Sequence, residues 1–595
     1  MGVPLRSEVP QKDRWNLFQL FPSDEAWQQA LETFIMDYKM LPSYEKTLGK
    51  SAADLKEALD AYMECDMRAE RLGYYAMLRL QEDLGDAQAN RNYAKFLQVQ
   101  SEYVRIISFF RPKIQEINEM TLRSWCETET LLPYRTYLEH IMRYKPHILS
   151  ADQEELLAPL GELFNTPDQA FSALTDVDMN FGDVEVNGQI MPLTQSTYTT
   201  LLKKEDPKLR EKVYHQFYSV FDQHKNVLAA LYSGSIRQDL YNARVRHFNT
   251  AREAALFADD MPLSVYDNLI KTVRANLGTL HEYYELRRKL LKMDRLRHCD
   301  VYAQLVSAVK TEYSYEEGAK LICQAMAPLG KEYCETLQKG LLGHWVDKYE
   351  NKGKSSGAFS AGSYLGEPYI LMNYKSENLR SLFTLAHEAG HSMHSLYSVQ
   401  NNSYQDYNYS IFEAETASTF NEALLFHYLF ENNSDPQFKK YLISERIDDI
   451  LATLFRQTMF AEFELRVHQD ATDGHPPTLE SLRKTYRDLQ QAYFGPHVDL
   501  PAISDLEGLR IPHFYRAFYV YKYATGIAAS LALSQKVLKG NDQDRQSYIA
   551  FLKSGGSRFP LESLRLAGVD MSNAEPIEMA INYFKELTKT LSEMA

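Results

Sequence analysis

No stretch of this sequence approaches the ~18 consecutive apolar residues that a membrane-crossing helix needs, so no span is expected. No block of lysine and arginine is present either, and the net charge is −15. A polyanion requires a clustered basic surface, so nucleic acid is excluded as an expected partner. Cysteine is scarce. Cys65, Cys126, Cys299, Cys323 and Cys334 are odd in number and form no Cys-x-x-Cys pair. That argues against a disulfide framework and a cysteine zinc site, and fits free thiols in a reducing compartment. The segment from Met1 to Leu20 carries Arg6, Glu8, Lys12, Asp13 and Arg14 without an apolar run, so it does not read as a secretory signal. A cytoplasmic location is expected. There is no repeat of fixed period and no low-complexity tract.

What is present is an ordinary globular balance, 45% hydrophobic and 24% charged, with an unusual 40 tyrosines. Tyrosine suits a helical core with wet edges or a tyrosine-lined cleft, and composition does not choose between them. Apolar residues recur three to four positions apart from Ser51 to Ala94, as in Leu55, Leu59, Tyr62, Met63 and Met67. The same period fills 96–120, 198–245, 262–292, 316–338, 437–468 and 514–536, with Pro133, Pro167 and Pro207 as breakers. The expected fold is mainly α. Two stretches depart from it. Val184 to Ile190 sets Asn187-Gly188 between short alternating runs, the pattern of a β-hairpin. It marks an expected boundary between an N-terminal helical domain, 1–195, and a catalytic domain, 196–595. Further on, Gly357–Ser360 and Tyr369–Met372 read as two short strands joined by a glycine-rich loop.

That small β element precedes the segment with chemistry, His387-Glu-Ala-Gly-His391. On a helix, positions i and i+4 project from one face, so two imidazoles can converge on one Zn²⁺. Glu388 then lies beside the metal, where it can take a proton from bound water. With 16 histidines in 595 residues, chance produces this His-Glu-x-x-His pattern about 0.03 times. Leu382, Leu385, Ala386, Ala389, Met393 and Leu396 form an apolar stripe that would bury the helix. Gly390 is a poor helix former, and its expected use is to let another backbone approach closely.

A catalytic zinc site needs a third protein ligand and keeps its fourth position for water. The metzincin pattern fails, because Tyr397 occupies the place of its third histidine. His394 lies a turn beyond His391 and reads as a supporting or core histidine. The next helical stretch, Ser410 to Glu422, offers Glu413, Glu415 and Glu422. Glu415 and Glu422 share a face with Ser418, which suits one ligand and one anchor for a ligating histidine. Periodicity leaves open which does which.

At these residues the sequence resembles the oligoendopeptidase F family, relatives of thimet oligopeptidase and neurolysin among the gluzincin zinc metallopeptidases. The likeness includes Ser-Gly-Ala-Phe-Ser (356–360), Pro-Tyr-Ile-Leu-Met-Asn (368–373), the stretch 383–394, Glu-Thr-Ala-Ser-Thr-Phe-Asn-Glu (415–422), the stretch 513–526 and Lys-Ser-Gly-Gly-Ser (553–557). The resemblance implies one Zn²⁺ per chain held by His387, His391 and Glu415, with Glu388 as general base and Glu422 behind the ligands. It also implies that His513 with Tyr519 and Tyr523 binds the substrate carbonyl, with Tyr515 and Tyr521 as further candidates. Phe518 stands where thimet-type enzymes carry a tyrosine. Gly357, Ala358 and Phe359 would pair with an extended peptide.

The implied activity is endopeptidase cleavage of short oligopeptides, in a deep active-site cleft that excludes folded proteins. A peptidyl-dipeptidase or carboxypeptidase using the same metal chemistry is the alternative enzyme. A catalytically silent peptide-binding protein is the alternative of another class, and Glu388 speaks against it. The sequence does not decide cleavage preference or oligomeric state.

Overall fold

The computed structural model describes residues 2–157, 159–540 and 542–594. It is mainly helical, as the periodicity predicts, and its strands are short. The helices used below are α1 (Ala52–Glu82), α2 (Ala87–Ile107), α3 (Pro207–Val245), α4 (Leu379–Asn401), α5 (Ile411–Asn432), α6 (Gln457–Thr472) and α7 (Tyr521–Lys539). The strands are β1 (Asp183–Val186), β2 (Gln189–Pro192), β3 (Leu296–Arg297), β4 (Val346–Asp347), β5 (Phe359–Ala361), β6 (Tyr369–Leu371) and β7 (Val498–Asp499). No helix among the described residues is long and apolar enough to cross a membrane.

Helix starts follow capping chemistry. Ser51 caps α1 by accepting from the Asp54 amide, and Asp86 caps α2 by accepting from Gln88 and Ala89. The periodic stretch 51–94 is therefore two helices, because Asp86 supplies a fresh cap after the turn at 83–85. Pro207 occupies the first position of α3, where its missing N–H costs nothing.

The residues group into two compact units, Met1–Pro146, Lys310–Asn432 and Leu533–Val569 in one, and His147–Val309, Asn433–Ala532 and Asp570–Ala595 in the other. These interleave along the chain and so divide it differently from the linear split at 195. In the first unit α1 packs on α2 around a core that includes Trp27, Leu31, Leu55, Leu59, Leu72 and Phe96. Trp27 satisfies its indole N–H on the Leu72 carbonyl at 2.9 Å. The expected strand pair is there, as β5 antiparallel to β6 with Phe359 opposite Leu371, but β5 begins only at Phe359, because Gly357 takes a positive φ (81°) and leaves it and Ala358 outside the strand. A parallel partner, β4, was not evident from sequence; the order β4-β6-β5 leaves β6 central and β5 at an edge.

The second unit is built on α3, whose Tyr214, Phe217, Tyr218, Phe221, Leu228 and Ile236 are buried. Here the hairpin β1–β2 turns through Asn187 and Gly188, both with positive φ (53° and 81°), as a two-residue hairpin demands. A second pair, β3 with β7, is parallel and two residues long. The helix expected over 514–536 begins only at Tyr521. Pro512–Tyr515 is a 3-10 turn and Phe518 is left-handed (φ 59°), its amide taken by Glu464 of α6. That tertiary contact overrides the local period.

Candidate metal centre

In the first unit α4 packs against α5, and their spacing is set at Gly390. A Cβ there would lie 2.7 Å from both the Ala417 carbonyl oxygen and Ser418 Cα. Only glycine permits that approach. The close backbone approach expected of Gly390 is present. Leu382, Leu385, Ala386, Ala389 and Met393 are fully buried, and each buried leucine contributes ~2 kcal/mol of transfer free energy. Asn421 of α5 donates to the Ala386 carbonyl at 3.2 Å, fastening α5 to α4 beside His387.

From α4, His387 and His391 present their rings 4.8 Å apart at an interplanar angle of 83°. One ligand atom from each of His387, His391 and Glu415 lies within 4.8 Å of the other two. His387 Nε2 is 3.6 Å from Glu415 Oε2. Its other nitrogen, Nδ1, donates to Glu422 Oε1 at 2.6 Å. That bond fixes the ring so that Nε2 faces Glu415, the usual arrangement behind a ligating histidine. Ser418 Oγ donates to Glu415 Oε2 at 3.3 Å. Two imidazoles and a carboxylate, without thiolate, form a donor set that fits a divalent ion such as zinc. Among the described residues no other set of three such side chains gathers this closely. Glu413 stays apart, accepting from Ser410 N and Oγ at 3.0 Å each at the start of α5. His394 is a core residue, stacked on Tyr409 at 3.6 Å and tilted against Phe551.

The electrostatics are those of a crowded, partly dry site. Burial pushes Glu388 up to about 7, helped by Glu415 and Glu422 and opposed by His387 and a hydrogen bond from the Ser360 backbone. Burial also pulls His387 down, but the bond and charge of Glu422, with Glu388 and Glu415, outweigh it and leave His387 raised to about 9. His391 goes the other way, lowered to about 3 by burial and by His387. A cation entering would displace the proton on His387, since ligating imidazole must be neutral.

β5 borders this site. Ser360 reaches Glu388 with its backbone and Ser392 Oγ with its own hydroxyl at 2.8 Å. Gly357, with φ 81°, is exposed, while Ala358 and Phe359 are half-buried. Asn373 Nδ2 donates to the Gly357 carbonyl at 2.9 Å and shapes the approach to the strand.

In the second unit the predicted carbonyl-binding residues separate into two groups. His513, Tyr519 and Tyr523 cluster, with centroids 6.4 Å (His513–Tyr519), 5.9 Å (His513–Tyr523) and 5.4 Å (Tyr519–Tyr523). Burial and Arg516 lower the His513 pKa. Tyr515 instead packs on Phe171 and Tyr232 with its hydroxyl buried, and Tyr521 is buried against Tyr266. Sequence reasoning missed Ser360, Ser392 and Tyr409. Tyr409 donates to the His391 carbonyl at 3.4 Å and shares a 2.8 Å bond with Ser395 Oγ. No periodicity marks these residues; only the position of Ser360 in the strand before the metal helix offered a signal.

Comparison with known proteins adds the following. The model of peptidase family M3 matches residues 200–583, and that named Oligopeptidase F matches residues 113–181. An oligoendopeptidase F homolog of Borreliella burgdorferi is 43% identical over 98% of both chains. Oligopeptidase PepF of Bacillus subtilis is 39% identical over 100% of this chain and 88% of its own. The crystal structure of oligoendopeptidase-F from Enterococcus faecium superposes with a TM-score of 0.73 at 31% identity, covering 96% of this chain and 99% of that one.

Proposed function

Since the chain belongs to peptidase family M3 and is a metallopeptidase acting on oligopeptides, we propose that it is a zinc endopeptidase with His387, His391 and Glu415 as ligands and Glu388 as general base. The observation that carries this reading is the convergence of two imidazole nitrogens and one carboxylate oxygen within 4.8 Å, with Glu388 on the same helix. When bound, zinc would polarise the scissile carbonyl and lower the pKa of water to roughly 7.

The remaining work falls to side chains of this protein. Glu388 accepts a proton from the attacking water and returns it to the leaving amine. Its burial-raised pKa suits both transfers, because a base poised near neutrality can also act as an acid. Glu422 keeps the His387 ring oriented through Nδ1. The outer edge of β5 at Phe359, together with Gly357 and Ala358 just before the strand, pairs with an extended peptide through main-chain hydrogen bonds, so recognition is tolerant of sequence. His513, Tyr519 and Tyr523 donate to the developing oxyanion. Tyr515, with its buried hydroxyl, is given no role in this proposal. A cytoplasmic location belongs to the same proposal and is supported by five free cysteines.

Glu388→Gln tests the assignment. It should keep the metal and lose roughly 10²–10⁴-fold in kcat on a quenched fluorescent peptide. Turnover at the wild-type rate would remove Glu388 as the base. Mapping the products of an end-blocked peptide separates endopeptidase from exopeptidase action.

A further inference from the structure

We infer that Glu464 is a positioning residue for the reaction, holding the amide of Phe518 and so setting the backbone that brings Tyr519 to His513 and Tyr523. The inference rests on the reading of those three side chains as oxyanion donors. Phe518 has φ 59°, a left-handed conformation that a bulky non-glycine residue rarely adopts. Such a residue persists only where its surroundings over-determine it, and it occurs preferentially at functional sites.

Two contacts from α6 hold it. The Phe518 N–H donates to Glu464 Oε1 at 3.0 Å. Its ring packs on His468, one turn along the same helix, with centroids 4.7 Å apart, and on Tyr266 at 5.8 Å. His468 is itself pinned, through Nδ1 to the Glu464 carbonyl at 2.8 Å and through Nε2 to Asp239 Oδ2 at 3.1 Å. Glu464 is fully buried, and among the described residues no lysine or arginine acts on it, its Oε2 being buried without a hydrogen-bond partner. Burial, with Asp239 adding to it and the Phe518 amide opposing, raises its pKa well above the carboxylate range. A buried acid with no ion-pair partner is a poor way to stabilise a core, which an apolar side chain would fill at less cost. Its side chain accepts instead from the backbone of the residue before Tyr519. The 514–518 turn buries both Phe514 and Phe518 and leaves Tyr519 facing His513 and Tyr523. Releasing the amide would let φ at Phe518 relax and carry Tyr519 away.

The test is a kinetic cycle on the full-length, zinc-loaded protein with one quenched fluorescent peptide: Glu464→Leu, Glu464→Gln, Tyr519→Phe, and Glu464→Leu with Tyr519→Phe. Zinc content and unfolding temperature are measured for each. Displacing a catalytic group by about 1 Å costs up to ~10²-fold. Glu464→Leu should therefore lose roughly 10–100-fold in kcat with KM nearly unchanged. Glu464→Gln, a neutral isostere that still accepts from the amide, should stay near wild type. Adding Glu464→Leu to Tyr519→Phe should cost little more than Tyr519→Phe alone. The inference is overturned if Tyr519→Phe slows turnover while Glu464→Leu does not, or if the two losses multiply. If Tyr519→Phe is itself fully active, the oxyanion reading of Tyr519 fails and the inference falls with it. Should Glu464→Leu not fold, Phe518→Gly against Phe518→Val decides. Both remove the ring, but only glycine accepts a positive φ, so kcat should be higher for the glycine variant. Equal kcat overturns the inference.

Discussion

Replacing Gly390 by alanine should damage the metal centre far more than the fold. The new Cβ would meet backbone of α5 at 2.7 Å, at Ala417 O and Ser418 Cα. Ordinary contact begins at ~3.5 Å, so α5 must retreat by about 0.8 Å. Glu415 lies two and three residues before those atoms and moves with them. Metal–ligand distances tolerate only about 0.2 Å, so the third ligand is pulled out of reach or strained. Zinc affinity should fall roughly 10–100-fold, the scale seen when the supports of a ligand are disturbed. Stability should change little. Alanine gains ~1 kcal/mol of helix propensity over glycine, against ~1–3 kcal/mol for overpacking. The assay is a chelator-competition titration of zinc, with thermal unfolding of the metal-free protein alongside. Wild-type zinc affinity in a folded Gly390→Ala protein would refute the claim that helix spacing at Gly390 sets the ligand geometry.

Three further outcomes are expected. Glu422→Ala frees Nδ1 of His387, so zinc affinity should drop about 10–100-fold in the same titration; an unchanged affinity contradicts the orienting role. Glu388 works as a base only when ionised. Burial pushes its pKa up to about 7, with Glu415 and Glu422 adding and His387 opposing, and a bound cation draws it lower. Activity measured as kcat/KM should therefore fall on acidification with an apparent pKa at or below about 7, and a flat profile between pH 5 and 8 would be inconsistent. His298, fully buried beside Tyr214, is lowered to about 4 by burial, with Glu507 opposing and Arg456, Arg510 and Arg487 reinforcing. The unfolded chain takes up that proton first, so stability should be lost as pH falls from about 6.5 to 4. The loss should total about 3 kcal/mol. Urea unfolding midpoints against pH should show this slope in the wild type and a shallower one in His298→Gln; parallel slopes would exclude His298 as the cause.

The parts of this molecule legible in the sequence are those governed by short-range order. The His387/Glu388/His391 face, the buried stripe through Leu382, Ala386 and Met393, the Asn187-Gly188 turn and the β5–β6 pair all follow from spacing and turn chemistry. Gly390 was legible because its cost in a helix demands a reason. The choice between Glu415 and Glu422 was not fixed by periodicity, since both occupy one face. Only the packing of α5 on α4 puts Glu415 near Nε2 and Glu422 at Nδ1 of the same ring. Nothing local marked the start of α7 at Tyr521 either, because Phe518 is held left-handed by Glu464, 54 residues away in the chain. The break at Ala327–Gly330 within the periodic stretch 316–338 is similar in kind. There Pro328 and the positive φ of Gly330 (94°) end one helix and begin the next while the apolar period runs on.

Zinc stoichiometry of the Glu415→Ala protein bears most directly on the central claim. After dialysis against a chelator and return of limiting zinc, the wild-type chain should bind one ion and Glu415→Ala almost none, both remaining folded. Equal, tight binding of one zinc by both proteins would mean that the carboxylate facing His387 is not a ligand.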